Sequence, residues 1–337
     1  MNIDLITVAG KLYGIGNFRR IQNLASDLYK IEHKVNIKVI TDDPSIFKNI
    51  DFVDAFDHRY KSPDDILRIL SNDIDCIVLD LFGEWAKTNY SPIVDIYKII
   101  AERKIRLYCF DDIRYIEKIL PIKNINSFIV NGPNQLIHNK KINNIIYSGI
   151  GFHVLDQKLI KLIEKKNTIK IKLILVALGG VVSGEIIKNV CIAIKNLQLH
   201  YKVIIYVNNS SYVDYAYDKF FGGLGKQFTV KEFSNSYYGD LARAEYFISG
   251  PGTIKFDGFF LMTKVIVLNF YERNNIALNN FNYYESVELI DIGLEMDLDS
   301  LEIKLKRAFI KLKNVKATLI ENTNVSRLID RDCKGRY

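Results

Sequence analysis

Short apolar runs alternate with amphipathic segments along the chain, and this alternation limits its folds more than any other feature. Runs such as IDLITVAG and DCIVLDLFG alternate with segments such as FRRIQNLASDLYKIE, which place apolar residues at helical spacing. Alternating strands and helices form parallel sheets that helices cover on both faces. Ser62-Pro63 and Ser91-Pro92 predict helix starts, with Ser as the N-cap. After DQKLIKLIEKKNT, a charged segment without strand character, the pattern restarts at IKIKLILVALGG, so we predict two Rossmann-like α/β domains, residues 1–155 and 156–337. Because parallel sheets bind ligands at the carboxyl ends of their strands, we expect a cleft between the domains.

The composition narrows the class of protein. The 337 residues are 48% hydrophobic and 25% charged, which is ordinary for a globular protein. No apolar run approaches the roughly 18 residues of a membrane span, and we expect no signal peptide. Four scattered cysteines favour a reducing, cytoplasmic location. No cluster of His and Cys has metal-ligand spacing, so we predict neither a metal site nor a cofactor.

The formal net charge of +7 favours anionic partners such as phosphorylated metabolites, anionic lipid or nucleic acid. We expect no nucleic-acid partner, because the chain has no RNA-recognition motif, zinc finger or arginine-rich tract. The basic stretch LEIKLKRAFIKLKNV fits two interpretations. It is either a solvated amphipathic helix or a helix in peripheral contact with the anionic inner face of a membrane.

Three glycine-rich turns connect an apolar run to a helical segment. At such turns the free backbone N–H groups of the helix N-terminus can bind phosphate. The alternative for any single turn is that the glycine is needed only for its backbone conformation. Three turns in one chain favour an anionic ligand. Asn17, in the first turn, is a candidate catalytic residue. The candidate binding residues that the turns contribute are Gly14, Gly16, Arg20, Gly179, Gly180, Ser183, Ser249, Gly250, Gly252 and Thr253.

Carboxylates follow several of the predicted strands. Asp257 lies four residues after Thr253, where a carboxylate suits the vicinal hydroxyls of a ribose; a solvated helix carboxylate is the alternative. In the first domain Asp80, Glu84, Asp111 and Asp112 end or follow strands, where carboxylates act as a general base or bind sugar hydroxyls, and we name Glu84 or Asp112 as the base. Trp85 beside Glu84 favours that residue, because an apolar neighbour raises a carboxyl pKa. For Asp111 or Asp112 the alternative is a helix N-cap.

The motifs together resemble a known family. GIGNFRR resembles a G-x-G-H-x-x-R loop, VLDLFGEW a strand ending in D-x-Y-G, and LYCFDDI an F-D-D segment. ISGPGTIKFDGFFLMTKVIVLNFYERNN resembles a segment with Ser/Thr, Glu four residues later, and then N-Q. In this order the motifs are similar to those of the UDP-sugar hydrolases of pseudaminic acid synthesis and the related spore-coat polysaccharide glycosyltransferases, within the two-domain GT-B group.

The departures from that family pattern bear on the reaction. Asn17 replaces the family histidine and Phe82 the family tyrosine, and neither residue transfers a proton near neutral pH. The nucleotide side is better kept: the resemblance assigns it Gly179, Gly180, Thr253, Asp257, Asn274 and Asn275. It thus implies a glycosyltransferase of surface polysaccharide or glycoconjugate synthesis. The second domain would hold a nucleotide-sugar donor, with UDP expected, and the first a glycan, sugar or lipid-linked acceptor. A nucleotide-sugar hydrolase with an altered base and a non-catalytic binding partner remain alternatives.

Overall fold

The chain divides into two compact units. Unit 1 comprises Met1–Asp156 and Asn322–Tyr337, and unit 2 comprises Gln157–Glu321. The computed structural model describes residues 1–10, 14–48, 50, 52–57, 62–81, 84–103, 105–165, 168–179, 182–207, 223–234, 236–270, 284–293 and 297–334. Of Pro63, Ile113 and residues 84–92 it describes the backbone alone.

The described part of unit 1 forms a sheet of eight strands in the order β3-β2-β1-β4-β5-β6-β8-β7. Its strands are β1 (Asn2–Val8), β2 (Lys34–Thr41), β3 (Val53–Asp57), β4 (Cys76–Asp80), β5 (Arg106–Phe110), β6 (Ile125–Ile129), β7 (Gln135–Asn139) and β8 (Asn144–Ser148). Its first helices are α1 (Gly16–Lys30), α2 (Pro63–Ile69), α3 (Glu84–Glu102) and α4 (Ile116–Ile119), with 3-10 turns at Pro44–Phe47, Ile113–Tyr115 and Ile150–Phe152. Neighbouring strands are parallel except β7, which runs antiparallel to β8.

Side chains of the central strands alternate between two layers of helices. On β1, Leu5 belongs to the core that contains α1, whereas Ile6 belongs to the core that contains α2 and α3. Burial on both faces explains why these strands appear in the sequence as continuous apolar runs. It also explains why their acidic residues Asp80, Asp111 and Asp112 gather at the carboxyl ends, where the apolar layers end.

Unit 2 contains a second sheet, whose described strands follow the order β11-β10-β9-β12-β13-β14 and are all parallel. The strands are β9 (Ile171–Ala177), β10 (Lys202–Val207), β11 (Phe228–Glu232), β12 (Ala244–Ser249), β13 (Lys264–Asn269) and β14 (Val287–Asp291). The helices are α5 (Gln157–Glu164), α6 (Gly184–Asn196), α7 (Tyr237–Arg243), α8 (Lys255–Phe260) and α9 (Leu298–Leu312). The sequence prediction of an α/β fold with parallel sheets is therefore confirmed.

The prediction of individual elements was wrong at several places. Ser91 was predicted as the N-cap of a helix, but α3 begins seven residues earlier, at Glu84. The segment after Asp156 was predicted only as a charged connection and forms α5. Strands β3, β7 and β14 were not predicted, because they lie at sheet edges, where partial exposure breaks the apolar run. Ser62 does cap α2, and its side chain and that of Asp65 form a reciprocal capping box.

The last helix, α10 (Val325–Cys333), belongs to unit 1, whereas the sequence analysis placed all of residues 156–337 in one domain. Val325 and Ile329 are buried in the core that contains α1. The Tyr108 hydroxyl of β5 donates a hydrogen bond to Asp332 at 3.1 Å. These contacts explain why the chain returns to the first unit after completing the second.

Candidate functional site

The first glycine turn joins β1 to α1. Gly10 and Gly14 exchange two backbone hydrogen bonds, of 3.1 and 2.8 Å, and both have positive φ, which favours glycine. Helix α1 then begins at Gly16. Ile15 caps it without a side-chain hydrogen bond, and the first turn contains no acidic residue. The first turn of α1 therefore contributes no carboxylate of its own to offset the positive end of the helix dipole.

Arg20 is bound to Asp80 from the neighbouring strand end. Its Nε and Nη2 donate to the two carboxylate oxygens at 2.7 and 2.6 Å, and Nη2 also donates to Asn17 Oδ1 at 3.3 Å. The guanidinium lies 4.7 Å from the centroid of the Phe110 ring. Burial raises the pKa of Asp80, and Arg20 opposes that rise. The structure thus brings together the predicted residues Asn17, Arg20 and Asp80, and it uses much of the Arg20 guanidinium to balance a buried carboxylate.

Asp112 is held by a local ion pair. Both of its oxygens accept hydrogen bonds from the Arg114 guanidinium at 2.8 Å, and Oδ2 also accepts from Asn131 Nδ2 at 3.0 Å. Its Oδ1 accepts from the backbone N–H of Arg114 as well, so Asp112 caps the 3-10 turn. These contacts correspond to the capping alternative of the sequence analysis. These donors already occupy both Asp112 oxygens.

Its neighbour Asp111, which the sequence places at the same strand end but which was not chosen as the general base, is the more unusual carboxylate. Asp111 is 8% exposed and points toward α3, where the Tyr97 hydroxyl donates to Oδ1 at 2.7 Å. Burial raises the pKa of Asp111 to about 7, while Tyr97 and Ser127 oppose the rise. No sequence pattern indicates this contact, because Tyr97 and Asp111 belong to different elements.

In unit 2 two glycine turns meet at the carboxyl edge of the sheet. Strands β9 and β12 are neighbours, and Ser249 pairs with Ala177 at their ends. A Cβ on Gly250 would lie 2.0 Å from the carbonyl oxygen of Leu178, so only glycine allows the two loops to approach this closely. Gly179 follows directly, with φ +103 and open space on its Cβ side. The structure therefore brings the predicted Gly179 and Gly250 loops together.

Lys255 holds the Gly250 loop in place from its buried side. Its side chain is 5% exposed, and Nζ donates to the carbonyl oxygens of Pro251 and Gly252 at 2.7 and 2.9 Å. Trans peptide units carry C=O and N–H in opposite directions. The N–H groups of Gly252 and Thr253 therefore point away from Lys255, and the Cβ side of Gly252 is open space. Such outward N–H groups suit an anion.

Asp257 lies on α8, directly beyond that loop. Its Oδ2 accepts a hydrogen bond from the Tyr237 hydroxyl at 3.3 Å. The ring of Tyr237 packs edge to face against Tyr206, with centroids 5.2 Å apart, and at the same distance against Phe233. These aromatic residues follow or end β10 and β11, so they share the carboxyl edge with the glycine loops. The segment SYYGDLARA has a helical pattern, but that pattern gives Tyr237 no role in a site.

Asp240 holds the aromatic group in place. It accepts hydrogen bonds from Lys231 at 2.6 Å, from Arg243 at 2.7 Å and from Tyr206 at 2.8 Å. Burial alone would raise the pKa of Asp240, but these donors hold it below its usual value. Asp240 is therefore a charged residue that stabilises the structure around Tyr237. The sequence GDLAR gave no indication of this role.

The remaining predicted residues divide into two groups. Ser183 caps α6, since its Oγ accepts from Ile186 N at 3.4 Å, and Ser249 is fully buried at the end of β12. Phe82, Gly180, Asn274, Asn275 and the side chain of Glu84 lie outside the described residues. In the described ranges there is no group of three or more His, Cys, Asp or Glu side chains placed to hold a metal ion. No helix in those ranges is long and apolar enough to cross a membrane.

The chain is similar to proteins of known structure, although no known sequence family matches it. No protein-family model and no curated protein sequence matches the chain. Among solved structures, MurG of Acinetobacter baumannii aligns over 99% of this chain and 100% of its own, with a TM-score of 0.62 and 11% identity. UGT2 of Phytolacca americana, solved with UDP-2fluoro-glucose and pterostilbene, aligns over 100% of both chains, with a TM-score of 0.62 and 9% identity.

An epimerase structure is also similar. The UDP-GlcNAc 2-epimerase of Methanocaldococcus jannaschii aligns over 99% of this chain and 100% of its own, with a TM-score of 0.53 and 11% identity. At these identities the likeness concerns the fold. The two α/β domains of this chain have the fold of GT-B glycosyltransferases, as the sequence analysis predicted.

Proposed function

We propose that the chain is a glycosyltransferase that moves a sugar from a nucleoside-diphosphate donor, with UDP as the expected nucleotide, to an acceptor hydroxyl. The observation that carries the proposal is the loop at the end of β12. Lys255 holds two of its carbonyl groups inward, which turns the N–H groups of Gly252 and Thr253 outward. The structural likeness to MurG and to a UGT solved with UDP-2fluoro-glucose supports the same class of enzyme.

The diphosphate would lie against the two glycine loops of unit 2. Gly179 and Gly252 both have open space where a side chain would be, so a phosphate can approach the backbone closely. The N–H groups of Gly252 and Thr253 would donate hydrogen bonds to its oxygens. Because these donors are already oriented, they stabilise the charge that develops on the leaving diphosphate without further reorganisation. This scheme uses neither a metal ion nor another cofactor.

The ribose would be bound by Asp257. A carboxylate accepts hydrogen bonds from both vicinal hydroxyls, and the Tyr237 hydroxyl orients Oδ2 from the protein side. This assignment separates the ribose-binding carboxylate from the phosphate-binding N–H groups by one turn of chain. Asn274 and Asn275, which the family resemblance adds to the nucleotide side, remain predictions.

Transfer to an acceptor is favoured over hydrolysis by Asn17. A side-chain amide cannot take a proton from water, and Asn17 Oδ1 already accepts from Arg20. In the transfer step the acceptor oxygen forms a bond to the anomeric carbon, the bond from that carbon to the phosphate oxygen breaks, and the hydroxyl proton passes to a base. The contacts of Asp112 with Arg114 favour Glu84 over Asp112 as that base.

The acceptor is assigned by resemblance alone. Similarity to the pseudaminic-acid hydrolases and the spore-coat transferases favours a glycan, sugar or lipid-linked acceptor in surface polysaccharide or glycoconjugate synthesis. The epimerase likeness keeps a nucleotide-sugar hydrolase as the second candidate, since this fold also serves proteins that act on a UDP-sugar without a separate acceptor.

The test is incubation with UDP-, CDP- and dTDP-sugars, with and without sugar and lipid-linked acceptors, while free sugar, free nucleotide and product are measured. We expect nucleotide release that depends on the acceptor. Rapid sugar release without acceptor would instead identify a hydrolase. Tight nucleotide binding by calorimetry with no turnover on any acceptor would identify a non-catalytic binding protein. The variant Asp257→Asn is the control, because it should lose donor binding while it keeps its fold.

A further inference from the structure

Helix α9 exposes two isoleucines on the face opposite the core. Ile303 is 53% exposed and Ile310 is 65% exposed, and they are seven residues apart, which places them on one side of the helix. The opposite side is buried in the core of unit 2 through Leu301, Leu305, Ala308, Phe309 and Leu312. Packing within the described part of unit 2 therefore does not account for the exposed pair.

The charges between the two isoleucines and beyond Ile310 are of one sign, whereas the exposed Asp299 lies on the same side one turn before Ile303. Lys306 and Arg307 lie between the two isoleucines on the exposed side. Residues 303–316 contain six cations and no acid, and the cations are Lys304, Lys306, Arg307, Lys311, Lys313 and Lys316. Acidic residues lie at the start of the helix and on neighbouring elements. Asp299 and Glu302 are in its first turns, Glu302 accepts from Asn196, and Glu288 pairs with Lys311.

We propose that this face of α9, defined by Ile303, Lys306, Arg307 and Ile310, is a docking surface for an anionic lipid bilayer. Long basic side chains can contact lipid phosphates while the isoleucine side chains between them enter the acyl boundary. A protein partner is less favoured, because the face has none of the aromatic residues that anchor protein interfaces. The proposal goes beyond the proposed transferase activity and does not rest on it.

Vesicle co-sedimentation tests this surface. The full chain is mixed with vesicles of phosphatidylcholine, or of phosphatidylcholine with phosphatidylglycerol, at low and high salt. We expect the wild-type chain to pellet with the anionic vesicles alone and to be released by salt. We expect Ile303→Ser with Ile310→Ser, and separately Lys306→Gln with Arg307→Gln, to reduce the bound fraction about tenfold.

Two control variants keep the test specific. Leu136→Ser removes a leucine of similar exposure, 63%, from β7 in unit 1. Lys140→Gln with Lys141→Gln removes an adjacent pair of exposed cations. Both controls should pellet like the wild type, and thermal melting should show every variant folded. The proposal is overturned if the wild-type chain stays in the supernatant with anionic vesicles. It is equally overturned if folded α9 variants pellet as well as the controls, which would assign lipid binding to another surface.

Discussion

Arg20 on α1 and Asp80 at the end of β4 form a bidentate ion pair, with N–O distances of 2.7 and 2.6 Å. The Asp80 side chain is fully buried and that of Arg20 is 10% exposed. Sixty residues apart in sequence, the pair joins the first glycine turn to the neighbouring strand. It also holds Asn17, the residue that distinguishes this turn from the hydrolase motif it resembles.

Removal of Arg20 should destabilise the chain. Arg20→Met leaves Asp80 buried without its partner, and we expect the free energy of unfolding to fall by about 3–5 kcal/mol. Adding Asp80→Asn should recover much of that loss, which denaturant unfolding measures. Lys98→Met is the control, because it breaks an exposed pair with Asp95 and should cost at most about 1 kcal/mol. Equal stability of the two single variants would contradict the account of this pair.

Asp111 should make stability depend on pH. Its pKa rises from 3.8 to about 7 on folding, so the folded chain holds the proton more tightly than the unfolded chain. Stability is then lost as pH rises from about 4 to about 7. We expect the free energy of unfolding of Asp111→Asn to fall less over this pH range than that of the wild type. The difference is at most about 4 kcal/mol, since each pKa unit corresponds to about 1.4 kcal/mol. Denaturant unfolding between pH 4 and pH 8 measures this difference. Asp95→Asn, at an exposed site, should follow the wild-type slope.

Gly250 and Gly252 should respond differently to alanine. Gly250→Ala places a Cβ against the Leu178 carbonyl, so we expect lower stability, by about 1–3 kcal/mol, together with weaker UDP binding. Gly252→Ala meets open space and should leave the melting temperature nearly unchanged, yet its methyl group would occupy the space proposed for phosphate. Thermal melting and UDP calorimetry separate the two effects. Unchanged UDP affinity in Gly252→Ala would argue against a phosphate at this loop.

Lys255 should act on nucleotide binding without contacting the nucleotide. Lys255→Met releases the Pro251 and Gly252 carbonyls, and we expect a loss of about tenfold in UDP affinity because the loop is no longer held in its binding conformation. Lys264→Met is a matched control. Lys255 donates to backbone carbonyls and lies 4.3 Å from the centroid of the Phe256 ring. Lys264 likewise donates to a backbone carbonyl and lies over an aromatic ring, but at the amino end of β13. Calorimetry should show near wild-type UDP affinity for the control.

Asp257 should distinguish ribose from deoxyribose. If its carboxylate binds the ribose hydroxyls, the wild-type chain should bind UDP more tightly than 2′-deoxy-UDP, and Asp257→Asn should reduce that preference. The loss of a charge-assisted hydrogen bond predicts a change of about tenfold or more for UDP. A variant that weakens both ligands by the same factor would show that Asp257 acts on the fold rather than on the ribose.

The sequence predicted the sheets well because their central strands are buried on both faces and therefore appear as uninterrupted apolar runs. It also predicted which residues stand at the carboxyl edge, since strand ends and glycine turns are local features. Edge strands such as Val287–Asp291 were missed because exposure mixes polar residues into them. The return of α10 to unit 1 was missed because an amphipathic pattern shows that a helix packs, not which core it joins.

Side-chain contacts between elements that are distant in the sequence could not be predicted either. The hydrogen bond between Tyr97 and Asp111 depends on how α3 lies on β5, and the role of Asp240 depends on donors from three elements. Asp112 shows the opposite difficulty. Its partner Arg114 is only two residues away, and in the sequence the carboxylate of Asp112 looks available for catalysis. Once the turn has formed, both carboxylate oxygens accept hydrogen bonds from Arg114.

The most direct test of the central claim is a crystal structure of the chain soaked with UDP. We predict diphosphate density within hydrogen-bond distance of the N–H groups of Gly252 and Thr253, and ribose hydroxyls within hydrogen-bond distance of the Asp257 carboxylate. Density for UDP elsewhere on the chain, with the Gly252 loop and Asp257 left uncontacted, would contradict the account.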